Sequence, residues 1–210
     1  MGGVGATSVY LEVGKTSTFA CALDWPGWCR RGKNPTDAIE ALVSYIPRYA
    51  VVAGPDFDPG DVDVLGEVAG NATTDFGAPG AIGDWDRGAL QSAEADRLAG
   101  LLERTWITFD AVVAGAPASL RKGPRGGGRD RDAMVEHVRE AERSYGRKLG
   151  VTVAPRTPWA EQRQLYLDRL RSDGSEGDSG GAWPVRYVVR RMGWHVMDHA
   201  WEIEDRSADP

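Results

Sequence analysis

The 210-residue chain contains three histidines, His137, His195 and His199, and their spacing suits chemistry. His195 and His199 stand four residues apart. Four residues of α-helix advance about 6 Å and turn through about 400°, so the two imidazoles should project from one face. His137 lies upstream on a separate stretch of helical periodicity. Two imidazoles from one helix and a third from another would make an open, facial metal site with a position left for water or substrate. Neutral imidazoles suit zinc, nickel, iron or copper, and zinc with a bound water is the first expectation. Bound there, a water or a thiol would ionise closer to neutral pH.

Helices must position these residues. Val185, Val188, Met192, His195, His199 and Glu202 follow steps of three and four, the seam that faces a bundle interior. His137 falls within the stripe Met134, Val138, Ala141 and Tyr145. All three imidazoles are therefore expected to point inward, where an unpaired polar group is costly. Helices are expected over about 88–114, 131–149, 158–171 and 183–205, joined by polar loops. This is the pattern of a four-helix bundle.

Neighbouring groups extend the site. Glu202 lies one heptad beyond His195 and could act as general base, orient a ligand, or pair with Arg206 at i+4. Glu136 and Glu140 are weaker candidates. Arg190 and Arg191, with Arg186, could hold a substrate carboxylate, although such a run more often forms a solvated face. Tyr187, Trp194 and Trp201 lie seven apart, and this second stripe is expected to dock another part of the fold. Two loops stand out. Residues 119–131 hold five basic residues and three consecutive glycines without the P-loop ending, and residues 172–182 are acidic.

The N-terminal part reads differently. Val9, Leu11 and Val13 alternate, as do Phe19, Cys21 and Leu23, so both runs are expected as strands. Turn chemistry at Asp24-Trp25-Pro26-Gly27 leads into a short extended stretch. Asn34 then serves as N-cap with Pro35 at the first helical position, and Pro47 ends or kinks that helix. The fold class is therefore α+β: a small α+β module over 1–52, a Gly/Pro/Asp-rich connecting segment over 53–87 with an extra strand or hairpin at Val62–Val68, and a bundle over 88–206. Residues 73–80 are expected as loop. Cys21 and Cys29 are expected as packed thiols, with a bridge across a hairpin as the alternative.

Two resemblances follow from these motifs. The stretch from Thr18 to Ile46 resembles the HicB-like small α+β fold, which implies shape more than function. The C-terminal part, through Glu136-His137-Val138 and the run Trp194 to Glu202, resembles the DinB/YfiT-like four-helix-bundle metalloenzymes. That resemblance implies one metal-ligating His from the second bundle helix and an H-x3-H pair from the last. It also implies, as one activity among several, a transferase or isomerase that uses a low-molecular-weight thiol.

Composition narrows the partners. A net charge of -6 disfavours nucleic acid, whose phosphates need a basic face. No apolar run approaches the roughly 20 residues of a membrane span, and the N-terminus lacks the basic and continuous apolar regions of a signal peptide. A cytoplasmic protein with a small-molecule substrate is expected, and a homodimer is compatible with the reading. The rival is a non-catalytic, antitoxin-like or stress-linked binding protein whose metal site is structural or vestigial.

Overall fold

The computed structural model describes residues 5–55, 57–123, 127–176 and 182–207. The two alternating runs form strands β1 (Thr7–Val13) and β2 (Thr18–Ala22), and Cys29–Gly32 forms β3. Helix α1 (Pro35–Ser44) begins as expected, with the Asn34 side chain accepting from the Asp37 N–H and Pro35 in the first turn. The helix ends at Tyr45, and α2 (Ile46–Ala53) restarts with Pro47 in its first turn, where the missing N–H costs nothing.

Residues 53–87 contribute to the sheet. Strand β4 (Val62–Ala69) runs parallel to β1, giving the order β3-β2-β1-β4. The register shifts between Val9 and Tyr10, so that Leu65 bulges out of the pairing and lies exposed. The stretch expected as loop contains a short helix, α3 (Ala72–Phe76), closed by a capping box between Asn71 and Thr74. Glu12, fully buried on β1, holds this segment in place. Its carboxylate accepts from Thr74 Oγ1 and from the N–H groups of Gly80 (2.8 Å) and Ala81 (3.0 Å).

Four long helices follow: α4 (Ser92–Gly115), α5 (Arg131–Lys148), α6 (Trp159–Glu176) and α7 (Val185–Ser207). They pack in a closed ring, α4 against α7, α7 against α5, α5 against α6 and α6 against α4. Residues 124–126 of the basic loop and 177–181 of the acidic loop lie outside the described residues. Among the described residues, no helix is long and apolar enough to cross a membrane.

One apolar core runs through sheet and bundle together. Val9, Leu11, Ala20, Ala22 and Trp28 belong to the same buried cluster as Leu98, Phe109, Val138, Tyr166, Val196 and Ile203. On the other sheet face Tyr10, Phe19, Cys21 and Cys29 pack with Ala78 and Trp194. Covered on both faces, β2 is buried at every position. The aromatic stripe of α7 docks the N-terminal part: Trp194 meets Phe19 edge-on at 6.0 Å and Trp201 meets Tyr45 at 4.8 Å.

One feature in each part shows how tightly it is packed. A Cβ built on Gly32 would lie 2.2 Å from the backbone nitrogen of Ala38, inside α1. Gly32→Ala should therefore destabilise the protein by roughly 2 kcal/mol or more, read as a lower midpoint in urea unfolding. In the bundle, Glu142 on α5 is fully buried. It accepts from Arg163 Nη2 at 3.1 Å and from Trp159 Nε1 at 2.5 Å, while Arg163 Nη1 also donates to Asp110 at 2.8 Å. Removing one partner of such a pair strands a buried charge, so Arg163→Met should cost about 3–5 kcal/mol in the same assay.

Candidate metal centre

Helix α5 starts after Asp130 and carries Asp132 in its first turn and Arg147 and Lys148 in its last, matching the helix dipole at both ends. Its end is sealed by Gly150, with φ of 86°, and by the Val151 N–H, which donates to the Gly146 carbonyl at 2.8 Å. Helix α7 is buried through most of its length, from Tyr187 to Ile203. Where α5 and α7 pack together, the three histidines meet.

The candidate ligand atoms of His137, His195 and His199 all lie within 4.8 Å of one another. His137 Nε2 and His195 Nε2 are 3.2 Å apart. Two ligands held 2.0–2.1 Å from a tetrahedral centre would be separated by about 3.3 Å, so this edge fits a shared cation. The ring centroids form a near-equilateral set, at 5.0, 4.9 and 4.6 Å. His195 is buried, and His137 and His199 are partly exposed. The cluster therefore has a closed side and an open one.

Electrostatics favour the ligand form of these rings. Burial, the His199 ring and Arg129 hold the His137 imidazole below its ordinary pKa. Burial pushes His195 further down, with His199, Arg191 and His137 adding to the effect. At neutral pH both rings are therefore neutral, as metal coordination requires. His195 Nδ1 is buried without a hydrogen-bond partner among the described residues.

Glu202 has both carboxylate oxygens engaged. One accepts from His199 Nδ1 at 3.0 Å and the other from Arg206 Nη1 at 2.7 Å. These bonds, the His199 contact first, hold its carboxyl below the usual carboxylate range. Of the roles expected for Glu202, these contacts match orienting a ligand and pairing with Arg206: the carboxylate fixes the tautomer of His199, leaving its Nε2 free to ligate. Arg206 in turn binds the Arg121 carbonyl through Nε at 2.6 Å, and the Arg121 N–H donates to the Arg206 carbonyl at 3.1 Å. The basic loop is thereby tied to the C-terminal end of α7.

The arginines expected to bind substrate separate. Arg190 is buried, paired with a fully buried Asp86 and stacked on Tyr10, so it is a structural charge on the sheet side of α7. Arg186 is likewise engaged, with Glu94 at 2.6 and 2.7 Å. Arg191 stacks on Trp194 at 4.6 Å and on Tyr145 at 5.3 Å, and Nη1 has no partner among the described residues. The Tyr145 ring lies 5.8 Å from that of His195, so Arg191 is the arginine next to the histidines. Glu136 is exposed and pairs with Arg139 at 3.8 Å, and Glu140 is exposed. Arg129, which acts on His137 and His195, sits in a loop and carried no periodic signal in the sequence.

Comparison with protein-family models, with curated proteins and with solved structures finds no match to this chain.

Groups that orient a ligating histidine typically contribute 10–100-fold to metal affinity. Glu202→Ala should weaken zinc binding by about that factor, measured by competition with a chromogenic chelator, while the far-UV spectrum stays unchanged.

Proposed function

We propose that the protein is a metal-dependent enzyme acting on a small molecule, of the kind implied by the DinB-like resemblance of its C-terminal helices. The observation that supports this best is the three-imidazole cluster, buried on one side and partly exposed on the other. A structural zinc site normally closes with a fourth protein ligand. Among the described residues no Cys, Asp or Glu joins the three histidines, and both cysteines belong to the sheet cluster.

In this reading His137, His195 and His199 hold the metal, with zinc the first choice. Bound there, the ion supplies Lewis acidity that brings a water or a thiol toward ionisation. The chain's own residues do the rest. Glu202 keeps His199 in its ligating tautomer, and Tyr145 and Trp194 wall the buried side beside His195. Arg191, stacked on Tyr145 and Trp194, sets a positive charge beside the histidines that favours an anionic substrate. A low-molecular-weight thiol is the co-substrate that the family resemblance implies, and the reaction class is transfer or isomerisation.

Elemental analysis of protein purified without a His-tag tests the reading. Near-stoichiometric divalent metal is expected in the parent protein. Little is expected in His195→Ala, whose helix content should persist. Full stoichiometry in that variant would overturn the ligand assignment, and a metal-free parent protein that takes up no zinc would overturn the function.

A further inference from the structure

Cys21 and Cys29 stand directly opposite each other on antiparallel strands β2 and β3. The neighbouring pair Ala22 and Trp28 carries the inter-strand bond, Ala22 N–H to the Trp28 carbonyl at 3.1 Å, and the Cys29 N–H donates to Gly27 instead. Bonded and non-bonded pairs alternate along such a ladder, so the cysteines occupy a non-hydrogen-bonded pair, whose Cα atoms approach to about 4.5 Å. That separation lies inside the range a disulfide spans. Both side chains point to the same sheet face, and their sulfurs are 2.8 Å apart as free thiols.

The pair also lines a narrow cavity between the sheet and α7, together with Tyr10, Arg190, Arg191 and Trp194. The space admits a molecule of about the size of water. Arg190 Nε and Arg191 Nη1 are buried without hydrogen-bond partners among the described residues. Burial and the Cys21 contact push the Cys29 thiol well above its ordinary pKa. Cys21, the sulfur on which the Arg190 charge acts, is therefore the one placed to attack, and the unpartnered guanidinium nitrogens can hydrogen-bond an incoming oxygen. The space excludes a bulky organic disulfide, so the oxidant must be near the size of hydrogen peroxide, the smallest peroxide.

We propose that Cys21 and Cys29 form a peroxide-oxidisable dithiol that closes to a cross-strand disulfide. One thiolate attacks a peroxide oxygen, the O–O bond breaks, and the departing oxygen leaves as hydroxide and is protonated to water. The sulfenic acid so formed is attacked by the second sulfur, forming the S–S bond and releasing a second water. Overall two thiols lose two electrons and two protons, and one hydrogen peroxide becomes two waters. The bridge stiffens the strand pair that holds α7. Arg30, next to Cys29, pairs with Asp198 at 3.0 Å and stacks on Tyr45 at 3.9 Å, and Asp198 immediately precedes His199.

The test treats the folded protein with hydrogen peroxide, then quantifies free thiols and determines intact mass and the bridged peptide. Loss of both thiols, a mass decrease of two hydrogens and full reversal by dithiothreitol are expected. The oxidised monomer should melt roughly 5–10 °C higher, as expected for closing a short loop in a domain of this size. Cys21→Ser and Cys29→Ser should each abolish the bridge. The proposal is overturned if both thiols survive peroxide in the folded protein, if oxidation stops at an unbridged sulfinic acid, or if the cysteines link between chains. Because the parent protein itself is assayed, misfolding of a serine variant leaves the test intact, and the outcome is independent of metal content.

Discussion

The backbone of α7 meets the turn between β2 and β3 with no side chain between them, and the rest of the fold is arranged around that approach. A Cβ on Gly193 would come within 3.1 Å of the Gly27 nitrogen and 3.2 Å of the Pro26 carbonyl carbon. Gly27 has φ of 98°, which favours glycine at the turn. The Tyr49 hydroxyl donates to the Pro26 carbonyl at 2.9 Å and anchors the same turn to α2. Once the sheet seats on α7 here, Trp194 falls on Phe19, Trp201 on Tyr45 and Arg190 on Asp86. The helix therefore has little freedom to rotate. Its remaining face is the one that carries His195 and His199.

That division explains why buried charge is distributed as it is. On the sheet side, the Arg190 charge is paired within the protein with a buried aspartate. Toward the C-terminal end, Glu202 and Arg206 link His199 to the basic loop through hydrogen bonds that leave no free carboxylate oxygen. Between these two regions stand the histidine cluster and Arg191, where polar atoms remain without protein partners. Satisfied networks rigidify a fold, while an unsatisfied set in a low-dielectric setting is costly. Two of the unsatisfied atoms, Arg191 Nη1 and His195 Nδ1, fall on the stretch of α7 that faces His137.

How much of this was legible in the sequence depends on the range of each interaction. The Asn34-Pro35 helix start, the alternation in β1 and β2 and the seam through His195 and His199 are local and periodic, and each appears in the structure near its expected place. Pairings across the chain were not legible. The parallel match of β4 to β1 joins segments some fifty residues apart, and nothing local in Val62–Ala69 names its partner. Glu12 is a carboxylate on a strand, with no local sign of the three donors that bury it. Arg190 and Arg191 are adjacent and chemically identical. Only Asp86, 104 residues away, makes one a structural charge and leaves the other beside the site. The short helix α3 escaped because five residues carry no helical period, although its Asn71 cap was present.

The histidine cluster itself carries one further step of reasoning. His137 Nε2 and His195 Nε2 face each other at 3.2 Å, where in the metal-free protein one ring's N–H donates to the other's lone pair. His199, oriented by Glu202, turns its own Nε2 toward the same space, adding another lone pair. Protonation could relieve the crowding, but burial and two nearby guanidinium groups oppose a charge on His195. In the proposed reading, a cation at the centre would take a lone pair from each ring, with His199 already oriented by Glu202.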